Sequence, residues 1–88
     1  MEKIKIHYYK LKEEKEMGDG QSIPKDQDLI LLKEDDDGLL FFETTDNDEF
    51  KKLFWTNKNE VILINSSDVE LSDEKINERN SYINGEFL

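Results

Sequence analysis

Residues 29–42 read Leu29-Ile30-Leu31-Leu32-Lys33-Glu34-Asp35-Asp36-Asp37-Gly38-Leu39-Leu40-Phe41-Phe42, two apolar blocks joined by an acidic connector. Asp37-Gly38 supplies a tight turn, because glycine reaches positive φ without a steric penalty. The stretch predicts a β-hairpin with an acidic tip, and the rest of the chain is read around it.

On its N-terminal side, Ile4, Ile6 and Tyr8 alternate with Lys3, Lys5 and His7. That period of two is the pattern of a strand with one solvated face. At Tyr9 and Leu11 the apolar residues change face, which predicts a bulge or twist near Tyr8-Tyr9. Between this strand and the hairpin, residues 13–27 hold Gly18, Gly20, Ser22 and Pro24 among charges and read as a mobile loop.

On the C-terminal side, Asp46-Asn47-Asp48-Glu49 reads as a helix start, with Asp46 as N-cap and Glu49 completing a capping-box-like pair. Phe50, Leu53 and Phe54 would form the stripe of this short helix, which is expected to stop near Asn57. Val61-Ile62-Leu63-Ile64 reads as a fourth strand. Ser72-Asp73-Glu74 could cap a second helix. Tyr82-Ile83 and Phe87-Leu88 around Asn84-Gly85 could equally form a small hairpin, so the C-terminal segment stays open between the two. Alanine, the best helix former, is absent, which tilts the chain toward β structure. The expected fold is α+β, a small antiparallel sheet of about four strands with one short helix packed on it, in a single domain.

The length of 88 residues bounds what such a domain can do. A chain of this size buries only about 60% of its unfolded surface, so a deep catalytic cavity would compete with the core. With no cysteine there is neither a disulfide framework nor a thiolate metal site. No apolar run exceeds four residues, far short of a membrane span. Met1-Glu2-Lys3-Ile4-Lys5 lacks the apolar stretch of a secretory signal, so the cytoplasm is the expected location.

The formal net charge is -10, and it is unevenly placed. Residues 1–33 hold seven basic and seven acidic side chains, whereas residues 34–88 hold five basic and 15 acidic ones. Such asymmetry points to a one-signed face and a partner of opposite sign. Glu34, Asp35, Asp36, Asp37, Glu43, Asp46, Asp48 and Glu49 form the densest cluster, with no base among them. Carboxylates are favoured at a helix start, which accounts for Asp46, Asp48 and Glu49, and a turn accounts for part of Asp37. Neither accounts for Glu34, Asp35 and Asp36 together. Asp68, Glu70, Asp73, Glu74 and Glu78 form a second cluster that contains only Lys75 as a base. Trp55 falls one position off the expected helical stripe. Core packing is its commoner role, but exposed beside the carboxylates it would be an anchor, since buried aromatics supply much of an interface's affinity.

Other chemistries fit less well. Aligning Asp35, Asp37 and Gly38 to a calcium-binding loop puts Lys33 at its first position and Thr44 at its twelfth, which excludes that motif. His7 is the single histidine and sits in an alternating strand without a nucleophile motif. Gly18-Asp19-Gly20 lacks the residues that cradle phosphate. No pair among 22 carboxylates stands out for acid–base work. The residues therefore predict neither an enzyme nor a metal or cofactor site. Direct nucleic-acid binding is opposed by charge, because Glu13, Glu14 and Glu16 offset the patch of Lys3, Lys5, Lys10 and Lys12 with Tyr8 and Tyr9.

Small size, absence of cysteine, acidity concentrated over residues 34–88 and a β-rich core together resemble the DNA-mimic inhibitors, many of them encoded by phages. This resemblance is one of composition, in a functional class that spans unrelated folds. It implies a protein that occludes the DNA-binding surface of a basic host protein, with the nucleoid protein HU as the first target. The partner-binding residues would then be the two acidic clusters with Trp55. The alternative is an immunity or adaptor-type protein whose acidic face neutralises a basic toxin or signalling partner. The thin core of so small a sheet also leaves an apolar edge that a homodimer would bury.

Overall fold

The computed structural model describes residues 2–18, 20–45 and 52–85. A five-stranded antiparallel sheet is built from β1 (Glu2–Leu11), β4 (Leu29–Glu34), β5 (Leu39–Thr44), β6 (Leu53–Asn57) and β7 (Val61–Leu71), in the order β6-β5-β4-β1-β7. Two short strands, β2 (Lys15–Gly18) and β3 (Gln21–Ile23), pair as a separate hairpin, and one helix, α1 (Asp73–Asn84), follows β7. The fold is α+β, with the main sheet covered on one face by the small hairpin and on the other by the helix.

The hairpin of residues 29–42 forms as its sequence dictates. β4 and β5 pair antiparallel through Leu29↔Thr44, Ile30↔Glu43 and Leu31↔Phe42, and Gly38 takes φ +84° at the turn. The register slips between Leu31 and Lys33, so Leu32 is the extra residue of a bulge. Leu40 to Thr44 are all buried, because β5 lies inside the sheet and both of its faces are covered. On the hairpin-covered face Leu11, Ile23, Leu29, Leu40, Phe42, Phe54 and Val61 form the core, with Tyr9, Met17 and Leu31 packed against it. Phe42 is its centre, with Tyr9 at 5.1 Å edge-on and Phe54 at 5.9 Å.

β1 explains the change of face noted at Tyr9. Ile6 is buried beneath the helix, whereas Tyr9 and Leu11 face the small hairpin, so an unbroken alternation serves two covers in turn. The register against β7 does shift between Tyr8 and Tyr9, which pair with Asn65 and Leu63. The extra residue is Ile64, on β7 rather than on β1.

Several sequence expectations are corrected. The helix expected to run from Asp46 to near Asn57 is not there over its second half: Leu53–Asn57 is β6, pairing as Phe41↔Trp55 and Phe42↔Phe54. Phe54 and Thr56 are buried while Trp55 and Asn57 are exposed, a period of two that a five-residue stretch cannot distinguish from half a helical stripe. Asp46, Asp48, Glu49 and Phe50 lie outside the described residues. The sheet of about four strands expected from the sequence has five, and β7 extends to Leu71 rather than ending near Ile64. Within residues 13–27, β2 and β3 form a hairpin that inserts Ile23, 1% exposed, into the core.

The open choice at the C-terminus resolves as a helix. The Ser72 hydroxyl accepts a hydrogen bond from the Lys75 backbone N–H at 3.3 Å, and Gly85 closes the helix in the left-handed region at φ +74°. No residue of α1 is fully buried, so its docking relies on a few directed contacts. The half-buried Arg79 guanidinium donates to the Leu31 carbonyl at 3.0 Å, and the Lys33 ammonium donates to the Ile83 carbonyl at 2.6 Å. Burial pushes the Arg79 guanidinium down from its ordinary pKa, and the charge of Glu43 opposes that shift.

A second tie joins β6, the start of β7 and the small hairpin. Glu60, in the 3₁₀ turn before β7, accepts hydrogen bonds from the Thr56 hydroxyl and from Asn57 Nδ2 at 3.2 Å, and lies 3.4 Å from Lys15 of β2. These contacts, the Thr56 hydroxyl foremost, hold its carboxyl below the ordinary value of 4.5.

Two outcomes follow for stability. Arg79→Ala removes the helix clamp and strips Glu43 of a facing charge, and is expected to cost about 2–3 kcal/mol in urea denaturation. Glu60→Gln is expected to destabilise at pH 7 by an amount that shrinks on acidification. A depressed carboxyl contributes its stability above the unfolded pKa and loses it as pH falls through the folded one. Denaturation midpoints of both proteins between neutral pH and about pH 3 would therefore converge at the acid end.

Candidate functional site

The two acidic clusters lie toward opposite ends of α1. β4 and β7 each run antiparallel to β1, which lies between them, so they point the same way. Glu34–Asp37 follow Lys33, whose ammonium reaches the Ile83 carbonyl in the last turn of α1, and Glu34 pairs with Lys58 in the turn before β7, whereas Asp68–Glu74 close β7 and open the first turn of α1. Two inter-strand spacings, about 10 Å, separate the two strands.

Within the two clusters the carboxylates do different work. Asp35 is a turn residue: its Oδ1 accepts the backbone N–H of Asp37 at 3.0 Å and of Leu39 at 2.8 Å, an Asx-type closure of the hairpin. Glu34 is 2.8 Å from Lys58, whose pKa is raised first by that hydrogen bond and then by the carboxylate charge. Asp68 stands opposite Lys5 in the β1–β7 register, with their charged atoms 3.8 Å apart, and Glu70 stands opposite Lys3. Glu78 accepts the Tyr82 hydroxyl at 2.7 Å and lies 3.7 Å from Lys75.

Glu43 is removed from any outward surface. It is 9% exposed and lines a cleft of about 180 Å³ between α1 and the sheet, together with Ile6, Tyr8, Ile30, Arg79 and Tyr82. Its position on β5 opposite Ile30 turns it toward the helix, and Arg79 is the compensating charge there. Asp46, Asp48 and Glu49 lie outside the described residues. Asp36, Asp37, Glu70, Asp73 and Glu74 remain as carboxylates with no ion pair among the described residues. Asp73 and Glu74 also occupy the first turn of α1, where the helix dipole favours negative charge.

Trp55 is on the edge strand β6, 38% exposed. Its ring stacks on Phe41 at 4.7 Å, and the Lys33 ammonium lies 5.5 Å from its centroid. One face of the indole is therefore packed, and the residue sits beyond β5, at the opposite sheet edge from β7.

Sequence reading missed Lys33, Arg79 and Glu60 as organising residues. Arg79 is the single arginine of the chain, and Lys33 is the one base between an apolar block and the acidic connector, which are the two signals available. Among the described residues no group of three or more His, Asp or Glu side chains is placed to hold a metal ion. No described helix is long and apolar enough to cross a membrane. Comparison with family models, with curated proteins and with solved structures gives no match to this chain.

Asp35→Ala is expected to destabilise the domain by about 1–2 kcal/mol, since two backbone N–H groups lose a charged acceptor. Asp36→Ala, one residue away on the same turn, is expected to change stability by less than about 0.5 kcal/mol. Chemical denaturation of the two variants side by side checks the distinction.

Proposed function

We propose that this chain is an acidic decoy, which occupies the DNA-binding surface of a basic protein and blocks DNA binding by competition. The observation that carries the reading is that Asp36 and Asp37 at the hairpin tip, and Glu70, Asp73 and Glu74 where β7 passes into α1, have no ion pairs among the described residues. Duplex DNA offers one phosphate charge per about 1.7 Å of axis, a density that no protein surface matches. Five unpaired carboxylates can still meet several Lys and Arg side chains that otherwise hold phosphates. A net charge of -10 adds long-range attraction that speeds encounter with a cationic groove. Glu34, Asp35, Glu43 and Glu78 belong to the fold instead, which makes the contact surface smaller than the sum of both acidic clusters.

The compositional resemblance to DNA-mimic inhibitors makes the nucleoid protein HU the first target to test, and the cytoplasm the compartment in which the two would meet. The test is displacement of labelled duplex DNA from purified HU. The expected result is competitive displacement that weakens as salt rises. The variant Asp36→Asn/Asp37→Asn/Glu70→Gln/Glu74→Gln is expected to lose about 10–100-fold in potency, as four exposed pairs of modest strength would give. Its circular dichroism and melting should stay close to those of the parent. Undiminished inhibition by that folded variant would remove these carboxylates from the mechanism. Absence of displacement at low salt would reject HU as the target.

A further inference from the structure

β7 is an edge strand, and among the described residues nothing pairs with its outer side. Three consecutive apolar side chains on it are half exposed: Ile62 at 49%, Leu63 at 53% and Ile64 at 54%. They lie in Val61–Ser67, the longest uncharged run of a chain in which 39% of residues are charged. Edge strands are normally protected by lysine, proline or inward charge, and none of these occurs in that run. The bulge at Ile64 adds twist, but it also adds a further exposed isoleucine.

We propose that this edge pairs with the same edge of a second copy, antiparallel about a two-fold axis at Leu63. The sequence selects a copy of itself for two reasons. Pairing about Leu63 sets Leu63 against its own counterpart and Ile62 against Ile64 of the second copy, so apolar meets apolar over the three half-exposed residues, with Val61 against Asn65 beyond them. Lys58 and Glu60 precede the strand, in the 3₁₀ turn, so no charged side chain enters the paired run of Val61–Asn65. Moving the axis one residue, to Ile64, would set Leu63 against Asn65 and Ile62 against Ser66.

Net repulsion between two copies at -10 each is a cost that this arrangement limits. The two Asp68 side chains would be ten residues apart along the paired strands, about 34 Å. That exceeds the Debye length of about 8 Å at physiological salt several-fold. Strand pairing by itself buries less than the roughly 800 Å² per partner of a standard interface, so the dimer is weak and concentration-dependent. Salt screens the remaining repulsion and strengthens it. Binding of a basic partner at the unpaired carboxylates responds to salt in the opposite direction.

Sedimentation velocity of the full chain, from about 5 to about 500 µM at low and moderate salt, reads the association. A monomer–dimer equilibrium that tightens with salt is expected, and Leu63→Lys is expected to weaken it at least about tenfold. Leu63 is half exposed, so circular dichroism and melting should be unaltered. Because the chain has no cysteine, single-cysteine variants report register directly. Leu63→Cys lies on the axis, with Cα atoms about 4.5–5.5 Å apart in the pair, and should oxidise to a disulfide-linked dimer. Ser67→Cys, four residues from the axis on each strand, should stay largely reduced under the same conditions. A monomer throughout, a Leu63→Lys protein that dimerises like the parent, or equal cross-linking at both positions would overturn the proposal. None of these outcomes bears on DNA displacement, which Leu63→Lys should perform as the parent does.

Discussion

β1 occupies the position on which the other elements depend. Its ten residues pair with β7 along their whole length and with β4 at Tyr8 and Tyr9, and its two faces are buried at different ends. Ile6 requires a cover on one face, and Tyr9 with Leu11 requires a cover on the other. A small chain cannot supply two full layers, so each cover is partial: α1 over one face, and the β2–β3 hairpin with Ile23 over the other. Buried side chains are worth roughly 1.5–3 kcal/mol each, and the ten buried apolar residues of the core are divided between those two faces. Loss of either cover would expose one side of β1 and of β5 together.

The weaker cover is the helix, and its attachment is polar. α1 contributes no fully buried residue, so Arg79 and Lys33 reach backbone carbonyls while Arg79 also faces Glu43. Charge-assisted bonds of this kind are stronger than neutral ones, but breaking one leaves its buried partner uncompensated. Much of the ionic content of the chain is spent in this way. Lys58 meets Glu34, Lys5 meets Asp68, Lys15 meets Glu60 and Lys10 meets Asp28, the last at 3.7 Å. Ion pairing takes particular carboxylates out of reach without changing the formal charge of -10, so position decides which ones remain for a partner.

The parts of the fold legible in the sequence are those governed by local chemistry. The β4–β5 hairpin follows from Asp37-Gly38 between apolar blocks, and β1 follows from its alternation. Residues 53–57 were ambiguous because Leu53 and Phe54 fit a helical stripe, while Phe54 and Thr56 fit a strand, and only pairing with β5 decides between them. Ser72 as a cap is visible, yet Asn77, Asn80 and Ser81 weaken the helix and Asn84-Gly85 reads equally as a turn, which leaves a hairpin open. Of the candidate site, composition identified the acidic segments but not their use. Whether Glu43 points outward or under α1 depends on strand parity relative to a helix 30 residues later. Whether Asp35 is a contact or a turn residue depends on backbone N–H groups that no charge count reveals.

The sheet has two edges, and they differ in how they are protected. β6 carries Trp55, stacked on Phe41 and capped by Lys33, so its exposed aromatic is already held by a cation and a ring. β7 carries Ile62, Leu63 and Ile64 with no such partner, and the nearest basic side chain in sequence, Lys58, is drawn toward Glu34. Charge has thus been concentrated at one end of β7 and excluded from its first half. In a strongly acidic chain, that exclusion leaves one length of backbone where an incoming strand meets no carboxylate. The same segregation that keeps Asp68 and Glu70 in the second half of β7 leaves its start apolar enough to meet an uncharged surface.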